Sequence, residues 1–320
     1  MSTNSESSCP QQVVFIAGFG RSGSTVLAQA LGEVPGLVSV GEVRHIWSRG
    51  VVENQLCGCG SPFQECPFWK QTFEIAFPGQ TWSELASIYE LQRRVDGIRY
   101  VPRVFWNWAR SQAYERLLTE YVGLLGKLFG ALREVTNDAT IVDSSKTPMH
   151  GRIIMMIPKL RTHVVHLTRD SRAVAFSWMR KRERPEVHWK KEDMPRYSAI
   201  KSSVWWNGAN IVSELLAKPA ASFVQLQYEE FIRQPQVAVS QILANVSGAT
   251  ASREFLRDGV LHAGVQHTVS GNPGRFKSGP VALQLDDEWR KAFRGRNRWI
   301  VDLLTGIWLR RYGYSLRSGS

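Results

Sequence analysis

No stretch of the sequence approaches the ~18 consecutive apolar residues that a membrane-spanning helix requires, so no membrane span is expected. The first dozen residues, MSTNSESSCPQQ, hold neither a basic segment nor an apolar core. No secretory signal is therefore read there, and a cytoplasmic location is expected. Cysteine is scarce, with four in 320 residues at positions 9, 57, 59 and 66, which excludes a disulfide framework. No zinc-finger, homeodomain or RNP signature is present, so no element that reads bases is expected and nucleic acid is not assigned as a partner. Acidic residues run short, 28 against 40 Lys plus Arg, leaving a formal charge of +12 that favours anionic ligands. With 43% hydrophobic and 21% charged residues the chain can bury a sizeable core, and whole-chain disorder is excluded.

Past a polar tail at 1–12, Val13–Ala17 is an apolar, β-branched run of the kind that forms a strand buried on both faces. GFGRSGST follows at 18–25, then a helix to Gly32 and a second strand at 37–40. That order opens a βαβ unit. Further strands are predicted at 140–142, 163–167 and 223–226. Mainly helical pattern runs through 82–132, and helices are read at 153–158, 173–182, 229–247 and 286–312. The expected fold is α/β: one domain over 13–320, a P-loop-like parallel sheet flanked by helices, with a helical, aromatic-rich insertion. Residues 50–135 and 180–222 match that plan least and are expected to shape the acceptor side. Their many aromatics, from Phe63 and Trp69 to Trp205 and Trp206, suit an apolar pocket, although most are expected to pack their own core.

Three of the cysteines fall inside CGCGSPFQEC. A tetrahedral metal site would need a fourth ligand, for which His45 and Cys9 are candidates. The alternative, a Gly- and Pro-punctuated loop with small buried cysteines, is preferred, and no metal is assigned.

GFGRSGST fits the spacing G-x-x-x-x-G-x-[ST], with Gly18, Gly23 and Thr25 in place. Glycines let backbone N–H groups turn toward an anion, and the following helix N-terminus favours negative charge. A nucleoside-triphosphate loop would carry Lys just after the second glycine. Here that position is Ser24, and the cation, Arg21, lies inside the loop. The loop resembles the 5′-phosphosulfate loop of sulfotransferases that use 3′-phosphoadenosine 5′-phosphosulfate (PAPS). VHLTRDSRAVAFSW at 165–178 is similar to that family's 3′-phosphate segment, with Arg169 and Ser177 at the matching positions. LQYEEFIRQP at 226–235 resembles its strand-Tyr-Glu segment, which implies that Tyr228 lies near the nucleotide. GEVR at 41–44 and DSSKTP at 143–148 resemble the acid and lysine segments of tyrosylprotein and carbohydrate sulfotransferases. GNPGRFKSG at 271–279 resembles the late loop of bacterial members, which brings in Arg275, Lys277 and Gly279.

The resemblance implies a sulfotransferase that moves the sulfuryl group from PAPS to a hydroxyl of a small-molecule, lipid or glycan acceptor, leaving 3′,5′-adenosine bisphosphate (PAP), with no metal required. Gly20, Arg21, Ser22, Gly23, Ser24 and Thr25 would contact the phosphosulfate, and Arg169, Ser177 and Arg275 the 3′-phosphate. Glu42 is the expected base, with Arg44 and His45 beside the acceptor and His45 and His150 as reserve bases. Lys146 and Arg21 would stabilise the leaving oxygen. A tyrosylprotein-type enzyme and a nucleotide-binding protein without transfer activity are the alternatives.

Overall fold

Five apolar runs become the parallel strands that the sequence predicts, in a computed structural model that describes residues 10–246, 256–257 and 259–316. They are β1 (Gln11–Gly18), β2 (Leu37–Gly41), β3 (Thr140–Lys146), β4 (Leu160–Thr168) and β5 (Ser222–Gln227). Their order across the sheet is β2-β3-β1-β4-β5, so β1 lies at the centre, with Val13 opposite Ile141 on one side and Ile16 opposite Val165 on the other. The two-residue period of a strand divides β1 between two cores. Val13, Phe15 and Ala17 face one, and Val14 and Ile16 face the other. A strand covered on both faces has no polar side, which is why this run reads as unbroken hydrophobicity.

The Phe15 core is roofed by the helices Pro67–Ala76 and Gln112–Val135. Trp47, Trp69 and Tyr121 are fully buried there, and Phe63 stacks on Trp69 with ring centroids 5.0 Å apart. Most insertion aromatics thus fill their own core. The Val14 core packs against the helices Ser24–Gly32, Tyr228–Arg233 and Pro235–Leu243.

Helix positions differ from expectation where proline acts. The helix expected at 153–158 is Pro148–Ile154, because Pro148 needs no N–H at the first turn and its ring favours helix initiation. The run 229–247 is two helices, since Pro235 lacks the N–H that would continue the first and instead opens the second. Residues 286–312, which hold no proline, also divide, into Trp289–Ala292 and Gly295–Arg311, with Gly295 at φ 69°. The helices Ala199–Glu214 and Pro67–Ala76 were not anticipated, nor was a small antiparallel sheet of β6 (Leu256–Arg257), β7 (Val260–Ala263) and β8 (Gly279–Ala282). No helix among the described residues is long and apolar enough to cross a membrane.

Candidate active site

All five strands of the large sheet run the same way, so their C-terminal ends share one edge, where α/β sheets hold ligands. A cleft of about 620 Å³ opens there. The turn after β1 carries GFGRSGST, the expected phosphate loop. Gly18 and Gly23 adopt φ values of 139° and 87°, the left-handed region that glycine enters without strain. The loop is also closely approached: a Cβ on Gly20 would stand 2.8 Å from the Trp178 ring, and one on Gly23 2.3 Å from the Tyr228 ring. The helix Ser24–Gly32 begins at once, aiming its N-terminal amides at the cleft. Arg21, at the loop apex with φ 71°, lies over the Trp178 ring at 4.9 Å and donates to the Met194 sulfur at 2.7 Å. Burial, with Arg182 nearby, lowers its pKa to about 10, which leaves it cationic at neutral pH.

Arg169 directly follows β4, and Ser177 lies on the next helix, Ser171–Met179; both line the cleft. The Arg169 guanidinium donates to the Arg21 carbonyl at 3.1 Å and pairs with the Asp286 carboxylate at 3.1 Å, while the Tyr228 ring lies 4.5 Å below it. Two nearby acids, Asp170 and Glu229, are otherwise engaged. Asp170 binds Arg172, and Glu229 accepts from the Asp170 amide and the Tyr314 hydroxyl. Burial raises the Tyr228 pKa, so its phenol stays neutral. Among the described residues, three buried donors lack a partner here: Nε of Arg21, Nε of Arg169 and the Ser22 hydroxyl. Unpaired buried donors are costly, and anionic oxygens would satisfy them.

Glu42 follows β2 and is 7% exposed. Its carboxylate pairs with the Lys146 ammonium from the end of β3, accepts from the Ser270 hydroxyl at 3.3 Å, and lies 3.6 Å from His45 Nε2. Burial, then the Arg49, Arg44 and Lys146 charges, drive the His45 pKa well down, so its imidazole is neutral and no ion pair forms with Glu42 at neutral pH. Glu42 is also held through its backbone, donating to the Val269 carbonyl at 2.7 Å. Gly271, at φ 129°, separates this acid from the phosphate loop: a Cβ there would come 3.7 Å from Glu42 and 3.8 Å from the Thr25 hydroxyl. Of the seven described non-glycine residues with positive φ, Arg21, Lys146 and Ser270 all belong to this site, the kind of concentration that functional sites show.

Other expected residues are aimed elsewhere. Arg44, expected beside the acceptor, turns away to pair with Asp96 at 2.9 Å. Arg275, expected at the 3′-phosphate, is 4% exposed and donates to the carbonyls of Thr268 and Leu56, which makes it a brace of the late loop. Lys277 of that loop lines the cleft, whereas Gly279 opens β8 away from it. His150 is fully buried, 3.2 Å from Asp143, and out of reach of the cleft. His45 lies beside Glu42 rather than with the cysteines, and Cys9 falls outside the described residues. Sequence reasoning missed Asn272, whose amide donates to the Thr25 hydroxyl at 3.3 Å, and Asp286, Arg182, Arg184 and Glu186, which also line the cleft. The charged run RKRERPEVHWKKEDMPR at 180–196 is the sequence signal for the last three.

Residues 13–247 match the family described as "Sulfotransferase family". No curated protein matches the chain. Among solved structures, the chain is similar to the sulfotransferase domain from the Synechococcus PCC 7002 olefin synthase, with 17% identity, a TM-score of 0.52 and 96% of each chain covered. It is also similar to the sulfotransferase domain from the curacin biosynthetic pathway, with 15% identity, a TM-score of 0.50, and 96% of this chain and 99% of that one covered. At such identities these likenesses speak for the fold, while the match over 13–247 speaks for descent: the chain belongs to the sulfotransferase family.

Proposed function

We propose that the protein transfers the sulfuryl group of PAPS to a hydroxyl of a small-molecule, lipid or glycan acceptor by in-line displacement, releasing PAP. The observation that carries this reading is the meeting, in one cleft, of a phosphate loop, the cation Arg169 and the Glu42–Lys146 pair. Bound PAPS would supply an electrophilic sulfur whose bond to the bridging phosphate oxygen breaks as the acceptor oxygen bonds to it. The partnerless donors of Arg21, Arg169 and Ser22 suit such a ligand, which needs two separated anion sites.

In this reading Arg169 and Ser177 hold the 3′-phosphate, and the Gly20–Thr25 amides with Arg21 hold the phosphosulfate. Lys146 meets the charge that develops on the leaving oxygen, a purely electrostatic contribution. When its ammonium turns to that oxygen, Glu42 loses its counter-ion and becomes free to take the acceptor's proton. Ile98, Met149, Trp205 and Val212 line the same cleft and give an acceptor's apolar body a place to bury, which favours a lipid or aromatic alcohol over a fully polar one.

Calorimetric titration tests the donor assignment. PAP should bind at micromolar Kd without magnesium, and far more tightly than ATP. Failure of the folded protein to bind PAP, or binding of ATP with magnesium in preference, would overturn it.

A further inference from the structure

Outside the cleft, the loop that carries CGCGSPFQEC folds back so that three cysteines meet a histidine from far along the chain. The ligand atoms of Cys57, Cys59, Cys66 and His267 all lie within 4.8 Å of one another. Cys57 and Cys66 are fully buried. The Cys59 and Cys66 sulfurs are 3.7 Å apart, and Cys66 Sγ lies 3.2 Å from His267 Nδ1. Tetrahedral zinc, with Zn–S near ~2.3 Å and Zn–N near ~2.0 Å, puts its sulfurs ~3.8 Å apart and sulfur to nitrogen ~3.5 Å apart. The two spacings above lie within about 0.3 Å of those edges, and the others are no longer than 4.8 Å. A disulfide would need its sulfurs at ~2.05 Å.

We propose that Cys57, Cys59, Cys66 and His267 form a structural zinc site that fastens the 57–66 loop to the segment carrying the late loop. A Cys₃His set is soft and closed, which selects zinc among common divalent ions and leaves no position for a reacting water. Binding replaces the three thiol protons by one metal ion, with no change of oxidation state. The surroundings fit a fixed ligand set. The His267 ring stacks on Phe68 with an interplanar angle of 5° and centroids 5.1 Å apart, which fixes its orientation, and the Cys66 sulfur accepts from the Trp69 amide at the start of the helix Pro67–Ala76. Beside the cluster, the Gly58 amide donates to the Thr268 carbonyl at 2.9 Å, and Arg275 bridges the carbonyls of Leu56 and Thr268. Two residues beyond His267, Val269 pairs with Val40 and Glu42. The metal therefore anchors the segment that holds Glu42 in place, without touching the cleft.

The experiment uses the full chain carrying Cys9→Ser, so that only the three cluster thiols are counted. Elemental analysis after dialysis should give about one zinc per chain. The thiols should be slow to react until a chelator is added. Cobalt in place of zinc should show tetrahedral ligand-field and thiolate charge-transfer bands. Cys59→Ser and His267→Ala should each lose the bands, while His267→Cys should retain metal. Chelation should lower the thermal midpoint and remove hydrogen-exchange protection at the Val269 amide. Folded protein without zinc, with three freely reactive thiols and no cobalt bands, would overturn the proposal, whatever the fate of the variants. So would a Cys59–Cys66 disulfide in the purified protein.

Discussion

Arg169→Ala separates recognition of a 3′-phosphate from general attraction of anions. In the ligand-free protein this guanidinium already has the Arg21 carbonyl and the Asp286 carboxylate, so what it would give a phosphate is a difference. The Asp286 side chain is 39% exposed, which keeps that pair's worth to under ~1 kcal/mol. Hydrogen bonds to a charged partner contribute ~1.5–3 kcal/mol. The net loss should be about 2 kcal/mol, close to 30-fold in the Kd of PAP. Asp286 left without its cation would repel the same phosphate, so Arg169→Ala/Asp286→Ala should recover part of the loss. Titrations in parallel with adenosine 5′-phosphosulfate, which lacks the 3′-phosphate, should show less than about a threefold change. Equal losses for the two ligands, or an unchanged Kd for PAP, would refute the assignment of Arg169.

Glu42→Gln and Lys146→Met should each leave PAP affinity within about threefold while lowering single-turnover transfer by ~100-fold or more, measured with an acceptor found by screening. Gly23→Ala should abolish PAP binding and cost ~1–2 kcal/mol of stability from the left-handed backbone alone, read by urea denaturation; adding Tyr228→Ala removes the clash but not that backbone cost. Burial lowers the pKa values of His45, His163 and His166 below 6.5, so at these three residues the unfolded chain binds more protons than the native one. Stability should then be full above 6.5 and fall as the pH drops below it. Denaturation midpoints at about pH 7.5 and about pH 5.5 should differ less in His45→Asn than in wild type.

The parallel sheet was legible because strands buried on both faces print a continuous apolar run, as at Val13–Ala17 and His163–Leu167. The small sheet was not: β7 and β8 have four residues each, and Pro280 and Gly279 interrupt the second. That Glu42, Lys146, Arg21 and Arg169 line the cleft was legible because each lies directly at a strand end or in the loop, where backbone direction alone aims a side chain. Arg44 and Arg275 share segments with such residues, yet their directions are set by Asp96, Leu56 and Thr268, partners that no local pattern reveals. His267 shows the same limit from the other side. It stands 201 positions from Cys66, far beyond any spacing rule for metal ligands, so the three cysteines looked one short.

The pairing of Val269 with the end of β2 has a consequence for the order in which the protein is made. Ser270 and Glu42 meet across 228 positions of chain. At ~5–20 residues per second, a ribosome takes roughly 10 to 45 s to cover that interval. Within it β3, β4 and β5 emerge to join β1, and β2 becomes the outer strand of the sheet, with its free edge open to pairing by any passing strand. The nascent protein is therefore most prone to aggregate after β5 has joined and before residue 269 arrives. Chains cut short of that point would keep the loop after β1 and lose the pairing at the end of β2.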